Sequence, residues 1–198
     1  MLGGLDRQLL QNAEQIIGID EVGRGSLAGP VVVAGVGWRV IPDESGIQDS
    51  KRLTARQREK AAVWVKETCS RWLVVEIWPD LIDCLNILGA TRLAMRAVAA
   101  SLIGERSIIV VDAVDLGDPR LPARSEIRAD RRYFSVASAS IVAKVYRDGL
   151  MERYARSYGL WAWQRNKGYG TQEHRAALDV HGRSFMHRRS FNWRPVLP

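Results

Sequence analysis

The chain has 198 residues, 46% of them hydrophobic and 26% charged, which suits one domain with a sizeable core. No window approaches eighteen consecutive apolar residues, so no membrane span is expected, and Cys69 and Cys84 lie too far apart for a CxxC metal motif or a disulfide framework. The net charge of +7 is uneven: residues 1–119 carry 13 basic and 16 acidic side chains, whereas residues 120–198 carry 16 and 6. Arg supplies 24 of the 29 basic residues, and its fork suits phosphate, so a polyanionic partner is expected. The opening MLGGLDRQLLQNAEQ lacks the apolar stretch of a signal peptide, so a cytoplasmic location is expected, with monomer as the default state.

In chain order, EQIIGID (14–20) and GPVVVAGVGWRV (29–40) read as two strands joined by a short loop, hence an antiparallel hairpin. Thr54 then caps a helix in ARQREKAAVWVKETC, with Ala61, Ala62, Val65 and Cys69 at helical spacing. RWLVVEIW is a third strand, and NILGATRLAMRAVAAS a helix with Leu88, Met95 and Val98 on one side. RSIIVVDAV is apolar throughout, the mark of a central strand covered on both faces, and it ends near Asp112. SEIRAD is read as a further short strand ending in Asp130. SVASASIVAKVYRDGLMERYARSYG is a long helix stopped by Gly159, and TQEHRAALDVHG a helix from Thr171 to Gly182. Strands alternating with helices after an opening hairpin predict an α/β layer with a mixed sheet and a helical tail. The expected division is a core over residues 1–158 and a C-terminal helical extension over 159–198, packed together as one domain.

Three acids, Asp20, Asp112 and Asp130, each follow an apolar strand, and Glu21 follows Asp20. Ligands of open α/β sheets gather beyond strand ends, so these acids could converge. Neighbouring strand residues face opposite ways, so Asp20 and Glu21 share a site only if the strand bends, which Gly23 and Gly25 would permit. Clustered carboxylates repel unless cations neutralise them, and an all-oxygen donor set favours Mg²⁺ or Mn²⁺. Two such ions can activate a water and stabilise a leaving oxygen in phosphodiester cleavage. The plainer reading of each acid is a turn former or helix cap, which also suits Asp115 and Asp118 in DLGDP.

Gly23 and Gly25 around Arg24 let the backbone approach a ligand closely, and backbone groups can bond a ribose 2′-hydroxyl; a simple flexible turn is the alternative. Ser140 and Lys144, four apart on the long helix, lie on one face and suit a phosphate, although serines among alanines equally suit close helix packing. Tyr169 stands between glycines in NKGYGT, placed to stack on a sugar or base or to anchor a loop. His174, His181 and His187 lack partners at ligand spacing; of the three, His174 is the candidate for a functional role, set against the plainer reading of a helix-surface or capping residue.

Together these segments resemble ribonuclease HII, the type 2 bacterial ribonuclease H. GIDEVGRGSLAGPVV is similar to its DExGRGPLAGPVV signature. DSKRL (49–53), NILGATRLAM (86–95), VVDAV, RADRRYFSVASASIVAKVYRD, NKGYGTQEHRAAL and HRRSF follow in the family's order, covering residues 14–192. The resemblance implies a ribonuclease H-like fold, with a five-stranded mixed sheet flanked by helices and a C-terminal helical extension. It implies that Asp20, Glu21, Asp112 and Asp130 hold two divalent ions, Mg²⁺ or Mn²⁺. It implies that Gly23, Arg24 and Gly25 read the 2′-hydroxyl, that Tyr169 stacks on the following deoxyribose, and that Ser140 and Lys144 contact phosphate. Lys51 is placed near the bound strand. The implied reaction is endonucleolytic hydrolysis on the 5′ side of ribonucleotides in RNA–DNA hybrids or embedded singly in duplex DNA, leaving 3′-hydroxyl and 5′-phosphate ends.

The sequence departs from the family pattern at four places. Ser26 replaces a usual proline, Ala113 the glycine after the third acid, Ala129 a glycine before the fourth, and Arg52 a second lysine. None removes a carboxylate or a reader. The alternatives are a ribonuclease HIII-like hybrid nuclease, a catalytically silent hybrid-binding module and a DNA-only nuclease. The GRG loop and Asp130 speak against ribonuclease HIII, and the intact acids against a silent module.

Overall fold

In the computed structural model, which describes residues 2–43, 47 and 53–193, five strands form one mixed sheet in the order β3-β2-β1-β4-β5. β1 (Gln15–Val22) pairs antiparallel with β2 (Val31–Trp38), and β2 with β3 (Arg71–Ile77). On its other side β1 runs parallel to β4 (Ser107–Asp112), and β4 to β5 (Ala123–Glu126). The opening hairpin and the buried central strand are as the sequence predicts.

Alternation along the strands builds two cores. Ile17, Ile19, Ile109 and Val111 face α3 (Pro79–Leu102) and pack with its Ala94, Met95 and Val98. Ile16 shares the other face with Val32, Ala34, Val36 and Val110, against α2 (Ala55–Thr68) and α4 (Phe134–Ser157). At Gly18 the crossing of α4 is so close that an added Cβ would lie 2.1 Å from the Ser135 carbonyl carbon.

Local signals set most element ends. Thr54 and Gln57 form a reciprocal capping box at α2. Within α3, Asn86 breaks the helix at φ 58 and caps its second part, its Oδ1 accepting the N–H groups of Leu88 and Gly89 at 3.0 and 3.1 Å. The helix read from Asn86 onward is therefore preceded by a short helical segment from Pro79, and Leu88 is 41% exposed rather than on the buried side.

Two further differences bear on the site. A short helix α1 (Gly4–Leu10), not anticipated, buries Asp6, whose carboxylate accepts the first N–H groups of α4, Phe134 at 2.8 Å and Ser135 at 3.0 Å. The predicted strand ending in Asp130 is instead β5, which stops at Glu126; Arg128 turns the chain at φ 58 into a 3₁₀ turn, Ala129–Arg131. After α4, α5 (Trp163–Asn166) and α6 (Gln172–His181) share a third apolar cluster with Leu27, Ala28 and Met151. No helix among the described residues is long and apolar enough to cross a membrane.

Candidate active site

Register brings the first acids together. The β1–β4 pairing ends at Ile19 and Val111, and one step further Asp20 and Asp112 fall on the face that packs on α4. β1 itself continues to Val22, so Asp20 and Glu21 lie inside the strand rather than at its end, and both still line one cavity of about 390 Å³. The backbone of the 3₁₀ turn is tied to the third acid: the Ala129 N–H donates to Asp112 Oδ1 at 2.9 Å, which sets Asp130 at the cavity wall. Asp115 and Asp118 take the turn role, bonding Gly117 and Arg120.

The acids are held under electrostatic load. Asp20 is buried, and burial, followed by the charges of Glu21 and Asp112, raises its carboxyl well above the ordinary range against a hydrogen bond from Ser140. Burial also raises Glu21, while Arg24, with Nη1 3.5 Å from Oε1, opposes it. Glu21 Oε2 is buried with no hydrogen-bond partner. Among the described residues, no three His, Cys, Asp or Glu side chains form a ready-made metal centre. The donor set is nevertheless oxygen-only, and the unmet acceptor on Glu21 and the strained Asp20 fit a hard divalent cation.

The glycine loop follows Glu21 directly and lines the same cavity. Gly23 sits at φ +85, and an added Cβ would lie 2.1 Å from Arg147 Nε. Arg147 is fully buried and donates to the Pro30, Lys167 and Ala28 carbonyls and to Ser26 Oγ at 2.7–3.0 Å. Ser26, the residue in place of proline, in turn donates to the Gly23 carbonyl at 2.7 Å. Arg188, 1% exposed, donates to the Gly23, Arg24 and Gly29 carbonyls. Burial pulls both guanidinium pKa values down, yet arginine remains charged at neutral pH.

Three segments meet here. The Leu27 N–H donates to the Gly168 carbonyl at 2.8 Å, the Arg188 N–H to the Leu27 carbonyl at 2.9 Å, and the Gly29 N–H to the Met186 carbonyl at 2.8 Å. Tyr169 follows Gly168 and lines the cavity, with the Lys144 and Arg147 cations 5.9 and 5.4 Å from its ring centre. Lys144 also pairs with Asp148 at 2.9 Å. Ser138 serves helix packing, donating to the Phe134 carbonyl.

The cavity thus gathers Asp20, Glu21, Gly23, Arg24, Gly25, Asp112, Asp130, Ser140, Lys144 and Tyr169. Lys51 lies outside the described residues. Sequence reasoning missed Arg58, which lines the same cavity with its Nε buried and unpartnered, and the two buried arginines. It also misplaced His174, which is fully buried rather than on the helix surface.

The family model described as Ribonuclease HII matches residues 17–193. The chain belongs to the ribonuclease HII family. It is accordingly a ribonuclease, a hydrolase. The Ribonuclease HII of Chlorobium luteolum is 42% identical over 190 residues, covering 92% of this chain and 90% of that protein. Among solved structures, the PCNA:RNase HII complex from Archaeoglobus fulgidus matches with a TM-score of 0.75 and 27% identity, covering 91% of this chain and 96% of that one. The ribonuclease H2 from Pyrococcus horikoshii OT3 gives 0.74 and 26%, covering 90% and 94%.

Proposed function

We propose that this chain hydrolyses the phosphodiester on the 5′ side of ribonucleotides, in RNA–DNA hybrids and at single ribonucleotides in duplex DNA, leaving 3′-hydroxyl and 5′-phosphate ends. One observation carries the reading: four carboxylates, the glycine loop and Tyr169 line one cavity. Asp20, Glu21, Asp112 and Asp130 would hold divalent ions, Mg²⁺ or Mn²⁺. Such ions supply activation of water and neutralisation of charge on the phosphate.

The remaining work is binding and orientation. Arg188 occupies the Gly23 and Arg24 carbonyls, so the loop's other backbone groups face the ribose, and at Gly25 an added Cβ would meet nothing within 4 Å. Ser140 orients Asp20, and Lys144 and Arg58 offer positive charge to the phosphates. Tyr169 stacks on the sugar after the ribonucleotide.

The test is gel mapping of the cut on a duplex carrying one ribonucleotide, with and without Mg²⁺. A single cut on its 5′ side that needs the ion, with an all-DNA duplex left whole, is expected. Cutting of the all-DNA duplex, or no cutting with either Mg²⁺ or Mn²⁺, overturns the proposal.

A further inference from the structure

The two buried histidines form a chain of donors that ends on the backbone of Tyr169. His187 Nδ1 accepts the Ser184 N–H at 2.9 Å and lies 2.9 Å from the Ser184 hydroxyl, which accepts the Met186 N–H and can donate to the ring. That nitrogen is therefore bare, and the proton of a neutral ring sits on Nε2. His187 Nε2 lies 3.1 Å from His174 Nε2, which also receives the Trp163 indole N–H at 3.3 Å. Two donors aimed at one ring nitrogen leave His174 protonated on Nδ1, and Nδ1 lies 3.0 Å from the Tyr169 carbonyl oxygen. Both rings are buried, His174 completely and His187 to 3% exposure. His187 also pairs with Ala28 as an isolated bridge, next to Arg188 on the glycine loop.

We infer that His187 and His174 are positioning residues, a one-way hydrogen-bond relay that holds the Tyr169 backbone and thereby places its ring for the sugar on the DNA side of the cut. The inference rests on the proposed function of Tyr169. The relay touches neither the acids nor the scissile bond, so it governs which junction is accepted rather than the rate of cleavage. Its donors run in one order only, because reversing either ring would set N–H against N–H.

The experiment uses the full chain and two substrates, a duplex with one ribonucleotide and a continuous RNA–DNA hybrid. His187→Phe keeps ring volume and removes both nitrogens. Its kcat/KM on the single-ribonucleotide duplex is expected to fall about tenfold, mainly through KM, with less than about a twofold change on the hybrid. His187→Gln, whose amide can replace the Nε2 donor, should recover most of the loss. In a Tyr169→Ala background, His187→Phe should leave the substrate ratio unchanged. Equal losses on both substrates, or a further change in that background, overturn the relay.

Two-bond ¹H–¹⁵N spectra of the unmodified chain test the relay without any substrate or variant. They should show His174 protonated on Nδ1 and His187 on Nε2 at pH 7; either opposite tautomer overturns the inference. If Tyr169→Ala alone lowers both substrates equally, the sugar-stacking reading fails, and with it the functional half of this inference, whatever tautomers the spectra show.

Discussion

The cavity's acid wall and its loop wall are built in opposite ways. On the acid wall, Glu21 Oε2 is buried without a partner and Asp20 is buried among like charges. On the loop wall, two buried cations meet their acceptors: Arg147 and Arg188 each fork onto backbone carbonyls, and Ser26 closes the loop from within. The first wall carries unmet electrostatic demand that a cation would relieve; the second is complete before a ligand arrives. On the proposed function the difference separates chemistry from recognition: unmet charge lies where the ions would bind, and completed hydrogen bonding where the sugar would be read.

The largest expected effect breaks the acid wall. Asp20→Asn should lower cleavage by on the order of 10³-fold while substrate binding persists. The same change removes a buried like charge, so the fold should gain about 0.5–2 kcal/mol of stability, read as a higher melting temperature. A variant that cuts undiminished would remove Asp20 from the site. On the other wall the sign reverses. Arg188→Met removes the guanidinium from the Arg24 and Gly29 carbonyls and leaves the Gly23 carbonyl to Ser26 alone, and should cost about 2–4 kcal/mol in denaturant unfolding. Arg188→Lys should not rescue it, since a compact ammonium does not span the carbonyls that Nε, Nη1 and Nη2 reach separately.

The pH dependence of stability distinguishes the acid wall from the histidines packed behind the loop wall. Burial and then His174 hold His187 down to about 4, against an ordinary 6.5. The unfolded chain therefore binds this proton first, and stability falls as the pH drops from about 6.5 towards 4, with a slope approaching about 1.4 kcal/mol per pH unit. Asp20 is shifted the other way, so its penalty is relieved as the pH falls through its raised pKa. Melting temperatures against pH should thus flatten on the acid side in His187→Gln and lose the opposing relief in Asp20→Asn. Superimposable profiles for the three proteins would contradict both assignments.

These walls were not equally legible in the sequence. The acids, the glycine loop and Tyr169 stand in compact motifs, and the place of Asp20, Asp112 and Asp130 after apolar segments pointed to the convergence of the acids. Arg147 and Arg188 were silent because all their partners but the Ser26 hydroxyl are backbone carbonyls, which no residue type announces. His174 misleads because Thr171 does cap its helix, its hydroxyl accepting the His174 N–H, while the ring turns inward to His187 thirteen residues away. Asp130 was assigned to a strand end with SEIRAD read as a strand, whereas Ile127 is 77% exposed and Arg128 turns left-handed. Asp6 lies outside the family match and caps α4 from 128 residues away. Asp6→Ala should cost about 1–2 kcal/mol with kcat unchanged, measured by thermal unfolding and single-turnover cleavage.

The smallest expected effect lies beside the third acid. Ala113 holds φ 52, a left-handed conformation that costs an L residue about 1–2 kcal/mol, at the position where the family commonly carries glycine. Its methyl is exposed, so removing it sacrifices no packing. Glycine's greater freedom in the unfolded chain offsets about 0.5–1 kcal/mol of the relief. Ala113→Gly should therefore stabilise by about 0.5–1 kcal/mol, read as a small rise in denaturation midpoint with cleavage unchanged. Because the Ala113 N–H donates to the Glu126 carbonyl at 3.1 Å, the turn is anchored by backbone whichever residue occupies it. A fall in kcat alongside the gain in stability would show instead that the strained alanine holds the Asp112 carboxylate in place, and would move position 113 from the fold to the acid wall.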